Sequence, residues 1–388
     1  MSERTRRGRA MRWGVPVAAI AVVAGALGAG PVIAAVQGDP VLPERTAEQL
    51  LADAAQAART TGAGVRPMSG TVIQTASLGL PGLPQLGNGD AASPATLLAG
   101  SHELKVWYGG ADRFRFALPG RMSETDLIVN GDQAWVWDSQ ANTATRIKGT
   151  ARTQDGAGRA LPTATTPQQL AGEVLNRAGA TTAISVTNTE RVADRPAYQL
   201  VLAPKDGASL IREVRVALDG ETYVPLRVQV YAKSAAEPAF EVGFTSITFT
   251  PPAAGNFTFT PPAGAKVEEK VVDDLNGKQE ARQERAEELR ERAEIVGEGW
   301  TSVAVLPFSE STLKTLGQAS RGQDEGSAGQ DGNVVADALL RSAKPISGTW
   351  GSGRVIQTKL VSALLTDDGR LLVGAVTPEK LAEVAGRR

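Results

Sequence analysis

The order of apolar and polar positions divides the chain into a helix, a long run of strands and a smaller mixed region. In TAEQLLADAAQAART, residues 46–60, Leu50, Leu51, Ala54 and Ala58 fall on one side at helical spacing, and Thr46 with Gln49 three residues on forms a capping-box start. Met68 to Ser77 reads as a strand, and residues 79–100, with Gly79, Pro81, Gly82, Pro84, Gly87 and Gly89, read as a flexible loop or flap. From His102 the period falls to two. Leu104, Val106 and Tyr108 alternate with Glu103, Lys105 and Trp107, and Phe114, Phe116 and Leu118 with Arg113, Arg115 and Ala117. The run TDLIVNGDQAWVWDSQ carries Asn130-Gly131, a hairpin signal between two strands. A helix is predicted at 166–178, TPQQLAGEVLNRA, with Pro167 at its first position. Strands then follow at 181–188, 197–203, 210–218, 224–231 and 239–249, Asp219-Gly220 turns one of them, and Phe257 with Phe259 suggests a last short strand.

Strand parity groups large side chains: Phe114 with Phe116, Trp135 with Trp137, Tyr198 with Leu200 and Leu202, Leu226 with Val228 and Val230, and Phe240 with Val242 and Phe244. Parity breaks between Phe244 and Ile247, which predicts a bulge and a bend at Thr245-Ser246. For any single side chain an ordinary packed core explains this pattern. For the whole concavity, a mouth that admits acyl chains competes with it.

Residues 41–267 thus read as one domain, a long antiparallel sheet with two helical inserts. The segment 268–295 is dense in charge of both signs, with Ala286, Leu289, Ala293 and Val296 as a thin stripe, and reads as a solvated linker helix rather than a coiled coil. Residues 296–388 read as a small α+β domain. It has a strand at Trp300 to Val305, helices at 309–316 and 333–343, a pairing of 354–365 with 371–376 across Asp367-Asp368-Gly369, and a final helix at 378–385.

Ahead of these, residues 1–36 hold Arg4, Arg6, Arg7, Arg9 and Arg12, then an uncharged stretch from Trp13 to Val36. The stretch ends in Gly28, Gly30, Pro31 and the small-residue pattern Val32-Ile33-Ala34. Two readings stay open, a cleaved signal peptide and an uncleaved anchor, and both export the rest of the chain.

Composition narrows the chemistry. The chain of 388 residues is 42% hydrophobic and 21% charged with a net charge of −1, so it can bury a core and offers nothing to a polyanion. It has no Cys, so disulfides, thiolate metal sites and a cysteine-linked lipid are excluded. Its one His, His102, opens a strand beside Glu103, and no G-x-S-x-G elbow accompanies it, which leaves a hydrolase using His102 as the weakest reading. Trp350-Gly351-Ser352-Gly353-Arg354 lacks a phosphate-loop Lys, and Asp324, Asp331, Asn333 and Asp337 do not follow the EF-hand spacing. No cofactor, metal or nucleic acid is expected.

The order of elements resembles the LolA-like group of exported lipoprotein carriers and lipid-binding proteins over residues 41–267. The pieces that carry the resemblance are Ala197-Tyr198-Gln199-Leu200 with Pro204-Lys205-Asp206, Leu218-Asp219 with Val224-Pro225-Leu226-Arg227, and Phe259-Thr260-Pro261-Pro262-Ala263-Gly264. The resemblance implies an unclosed antiparallel β-barrel wrapped around helices, with an apolar cavity for acyl chains and no enzymatic activity. Parity then offers Phe114, Phe116, Trp135, Trp137, Tyr198, Leu200, Val228, Phe240 and Phe244 as the cavity lining for a lipid or acylated lipoprotein. A LolA-like domain followed by a smaller module is also the plan of the RseB/MucB group, periplasmic sensors that bind an anti-sigma factor. In that alternative, the second domain engages a membrane-protein partner.

Overall fold

The computed structural model describes residues 41–60, 66–79, 99–148, 178–271, 291–308 and 342–387. The helix read at 46–60 forms as α1, Ala47–Thr60. Its start is a reciprocal box in which Thr46 N–H donates to Gln49 Oε1 at 3.0 Å and Gln49 N–H to Thr46 Oγ1 at 3.1 Å.

Twelve strands follow: β1 (Met68–Ser77), β2 (Ala99–Gly110), β3 (Arg113–Pro119), β4 (Glu124–Asn130), β5 (Gln133–Asp138), β6 (Thr143–Lys148), β7 (Thr182–Val192), β8 (Arg195–Pro204), β9 (Ile211–Asp219), β10 (Pro225–Ala232), β11 (Pro238–Thr248) and β12 (Lys266–Val271). They form one curved sheet in the order β12-β6-β5-β4-β3-β2-β1-β11-β10-β9-β8-β7. All pairs are antiparallel except the last-added edge, where β12 runs parallel to β6. The edges β12 and β7 do not meet, so the architecture is the unclosed half-barrel that the motifs imply.

The predicted bulge is present. Thr71 lies opposite Ser246 and Val72 opposite Phe244, so Thr245 is the extra residue and parity flips across it. Gly70 fits here because a Cβ on it would meet Ser246 O at 2.3 Å. In the β4–β5 hairpin Asn130 pairs with Gln133, so the two-residue loop is Gly131-Asp132, with Gly131 at φ 66°.

A second, six-stranded antiparallel sheet has the order β13-β14-β18-β17-β16-β15. Its strands are β13 (Glu294–Val296), β14 (Val303–Pro307), β15 (Lys344–Gly348), β16 (Gly351–Gln357), β17 (Ser362–Thr366) and β18 (Arg370–Gly374). Helix α2, Pro378–Ala385, packs on it through Leu381, Val384 and Ala385, and Thr377 caps its start.

Five expectations change. The linker helix read at 268–295 gives way to strand β13 at Glu294, and the strand read at Trp300 to Val305 begins only at Val303, because Gly299–Thr301 form a 3-10 turn. The first residues assigned to a charged linker helix, 268–271, belong to strand β12, whose alternation is hidden by its charges; Lys148 Nζ holds Glu269 Oε2 across the β6–β12 pair at 2.8 Å. The strand read at 354–365 is two strands, split at 358–361, where Thr358 Oγ1 accepts from Leu360 N and Val361 N. Phe257 ends a 3-10 turn, Ala254–Phe257, and no strand forms at Phe259. The helix read at 309–316, all of that at 333–343 but Ser342 and Ala343, all of that at 166–178 but Ala178, and most of the loop at 79–100 lie outside the described residues.

The two sheets touch. Trp300, only 4% exposed, joins the core cluster of the large sheet, and its indole N–H donates to Thr182 Oγ1 at 2.8 Å. Leu210 N–H donates to Ala375 O at 2.8 Å, Thr377 N–H to Ala208 O at 3.0 Å, and Lys359 N–H to Leu78 O at 2.8 Å.

Candidate functional site

Residues paired across a sheet share a face, so the strand registers sort every side chain to one of two faces. One face carries α1, and the other is crossed by the extended segment that follows β11.

On the α1 face, β7 to β11 form a closed core. Leu50 and Ala54 of α1 pack against Tyr198, Leu200, Val214, Val216, Leu218, Val228 and Val230, all at most 6% exposed. The helix is pinned at its start. Tyr198 Oη donates to Pro43 O at 2.9 Å, and Tyr223, stacked on Tyr198 with centroids 6.4 Å apart, donates to Asp53 at 3.2 Å. Burial raises the Tyr223 phenol pKa first, and the Asp53 carboxylate adds to that.

The same face continues over β2 to β6 in two ladders. One runs Tyr108, Phe114, Val129, Ala134 and Ile147; the other runs Val106, Phe116, Leu127, Val136 and Thr145. Neither ladder contains a charged residue. None of these side chains belongs to the three buried clusters of the described residues; Val106 and Ala134 are nevertheless buried, while Phe116 is 38% exposed. Phe114 and Phe116 lie side by side, with ring centroids 5.4 Å apart.

The opposite face of the same strands is the more deeply packed one. Ala117, Asp126, Ile128 and Ala144 are all at most 2% exposed there. The post-β11 segment crosses them, with Phe259 5.5 Å from the Trp135 ring and 5.8 Å from the Trp137 ring. It then joins the sheet edge, where Asn142 Nδ2 donates to Gly264 O and Lys266 N–H to Asn142 O. Asp126 is paired with Arg115 by two bonds of 2.9 and 3.0 Å, and the Arg115 guanidinium lies 5.3 Å from the Trp107 ring centre. Beside it, burial and then Asp126 push the Glu124 carboxyl pKa above its ordinary range.

The nine parity-derived residues therefore do not line one surface. Phe114 and Phe116 lie on the α1 face over β2 to β6, the half that α1 does not cover. Trp135 pairs with Ile128 and Arg115's row, Trp137 with Asp126 and Ala117's, so both indoles point to the crossed face and hold Phe259. Tyr198, Leu200 and Val228 are core beneath α1, Phe240 packs against that core, and Phe244 packs against a separate cluster with Leu226. Parity missed Leu127, Val129, Val136 and Ile147. The signal for them lay in Leu127-Ile128-Val129, where consecutive apolar residues mark a strand that is apolar on both faces.

His102 lies opposite Gln74, and its Nε2 is 3.0 Å from Ala99 O. Among the described residues no group of three or more His, Cys, Asp or Glu is placed to hold a metal ion, and the Asp324, Asp331, Asn333 and Asp337 positions lie outside them. No helix of the described residues is long and apolar enough to cross a membrane.

No family model and no curated protein matches the chain. Among solved structures it is similar to the complex of Pseudomonas aeruginosa MucA and MucB, at 15% identity over 87% of this chain and 96% of that one, with a TM-score of 0.38. It is also similar to a LolA superfamily protein from Nitrosomonas europaea, at 12% identity over 56% of this chain and 99% of that one, with a TM-score of 0.20. A third is a putative outer membrane lipoprotein-sorting protein domain from Vibrio parahaemolyticus, at 14% identity over 55% of this chain and 97% of that one, with a TM-score of 0.21.

Proposed function

We propose that this is an exported, non-enzymatic protein that binds the acyl chains of a lipid or acylated lipoprotein on the open half of its α1 face. The observation that carries the reading is the pair of uncharged ladders through Phe114 and Phe116, on which Phe116 is 38% exposed, beyond the half of the face that α1 seals. Each methylene moved from water onto such a surface contributes about 0.8 kcal/mol, so an acyl chain supplies ample affinity without a charged contact. The basic and then apolar stretch of residues 1–36 supports export.

The test is mass spectrometry of organic extracts from residues 36–388, purified after export without detergent. A stoichiometric lipid or acylated peptide is expected. An empty, folded monomer sinks the reading.

A second reading, a sensor that passes ligand occupancy to a membrane-protein partner through the second domain, is favoured by Trp300, which ties that domain into the core beside the proposed site. Under it, loading with acyl ligand changes amide exchange in residues 344–374. A plain carrier leaves that exchange unchanged.

A further inference from the structure

On the crossed face, at the bulge between β1 and β11, lies a cavity of about 320 Å³ that the acyl-chain reading does not use. Its wall is a grid set by register. One row is Thr248, Ser69 and Trp107, and the next is Ser246, Thr71 and Lys105. Strands lie about 4.8 Å apart and same-face residues about 7 Å apart along a strand, so the grid covers roughly 10 by 7 Å, the footprint of one or two sugar rings.

The chemistry of the grid is mixed. Thr248 Oγ1 is engaged with Thr250 at 3.2 Å, but the hydroxyls of Ser69, Thr71 and Ser246 make no hydrogen bond among the described residues. Lys105 forms no salt bridge there, although it lies within electrostatic reach of the Glu124 carboxyl, and no carboxylate lines the cavity. Trp107 stands at one corner, held by Arg115, which the buried Asp126 locks in turn. A rigid indole offers an apolar plane with a polar edge, and hydroxyls beside it donate and accept equally. A single ammonium, a compact charge on a flexible stem, adds a preference for an anionic substituent.

We infer that this cavity binds a saccharide ring carrying a carboxylate or phosphate. The C–H face of the ring lies against Trp107, its hydroxyls meet Ser69, Thr71 and Ser246, and its anionic group reaches Lys105. The site is on the opposite face of the sheet from the acyl-chain ladders, and it stands or falls separately from them.

The test uses residues 36–388 and saturation-transfer NMR of glucuronic acid, glucose 6-phosphate and glucose, with inorganic phosphate, which has no carbon-bound protons, titrated in as a competitor of the glucose 6-phosphate signal. Both anionic sugars are expected to bind more tightly than glucose or phosphate alone, with transfer strongest to ring protons. The two arms show which anionic group is preferred. Lys105→Gln is expected to weaken both about tenfold, in line with loss of one charge-assisted bond, and to leave glucose unchanged. Because Trp107 also supports Arg115, Ser246→Val serves as the second variant and is expected to weaken all the sugars. Absence of transfer from any sugar overturns the inference. So does binding of phosphate as tightly as glucose 6-phosphate, or binding that Lys105→Gln and Ser246→Val leave unaltered.

Discussion

The two halves of one sheet face meet the same hydrophobic demand differently. Over β7 to β11, Leu50 and Ala54 of α1 close the surface, and Leu200, Val216 and Val228 are at most 6% exposed. Over β2 to β6, the face through Phe114, Phe116, Leu127 and Val136 stays outside the buried clusters of the described residues, while the reverse side of those strands is tightly packed under Phe257 and Phe259. Most of the deepest burial in the second half therefore lies on the crossed face, with Val106 and Ala134 buried on the other. On the proposed reading, the exposed Phe116 side of the α1 face is the part left to a ligand, because a surface that is little used by the core can be occupied and vacated without unfolding the domain.

The comparison can be broken from the sealed side first. Val228→Asp sets an unpaired carboxylate into the core beneath α1 and is expected to abolish folding, seen as loss of cooperative urea unfolding. Leu50→Ala removes the helix's central contact and is expected to cost about 2–5 kcal/mol by the same measurement. On the open side, Phe116→Glu puts a charge on a surface already 38% exposed. It is expected to change stability by less than about 1 kcal/mol while the co-purified lipid disappears. If Phe116→Glu unfolds the protein as Val228→Asp does, the two halves are not different in kind.

The smallest effect is a pH dependence on the packed side. A carboxyl whose pKa is raised on folding holds its proton more tightly in the folded state. Its contribution is complete below the unfolded value and is lost as pH rises through the folded one. Glu124 is such a group, raised by burial and by Asp126. Glu124→Gln is therefore expected to raise the Tm slightly at neutral pH and to leave it unchanged in acid, below the ordinary glutamate range. A gain that persists in acid would mean the Glu124 charge is not its source.

Much of the fold was legible in the sequence. The capping residues Thr46 and Gln49, the strand Met68–Ser77 and the bulge at Thr245-Ser246 each follow from a local signal that the structure reproduces. The site was legible only in part. Parity fixes which residues of one strand share a face, but register decides which strands agree. The key was β4, whose Leu127-Ile128-Val129 is apolar on both faces and so gives no parity signal, and the sides of Trp135 and Trp137 were lost with it. Strand β12 was hidden by charge, since Lys266, Glu268 and Lys270 share one side and an edge strand tolerates them. The insertion of Trp300 into the larger core has no local signature, because the contact spans chain positions 118 apart.

The most direct test of the central claim is photolabelling of residues 36–388 with a diazirine-bearing fatty acid, followed by mapping of the labelled peptides. The account predicts label on Phe114, Phe116, Leu127 and Val136, competed away by unlabelled fatty acid and lost in Phe116→Glu. Label on Trp135, Trp137 and Phe259, or on the Leu200 and Val228 core, would place the ligand elsewhere and contradict it.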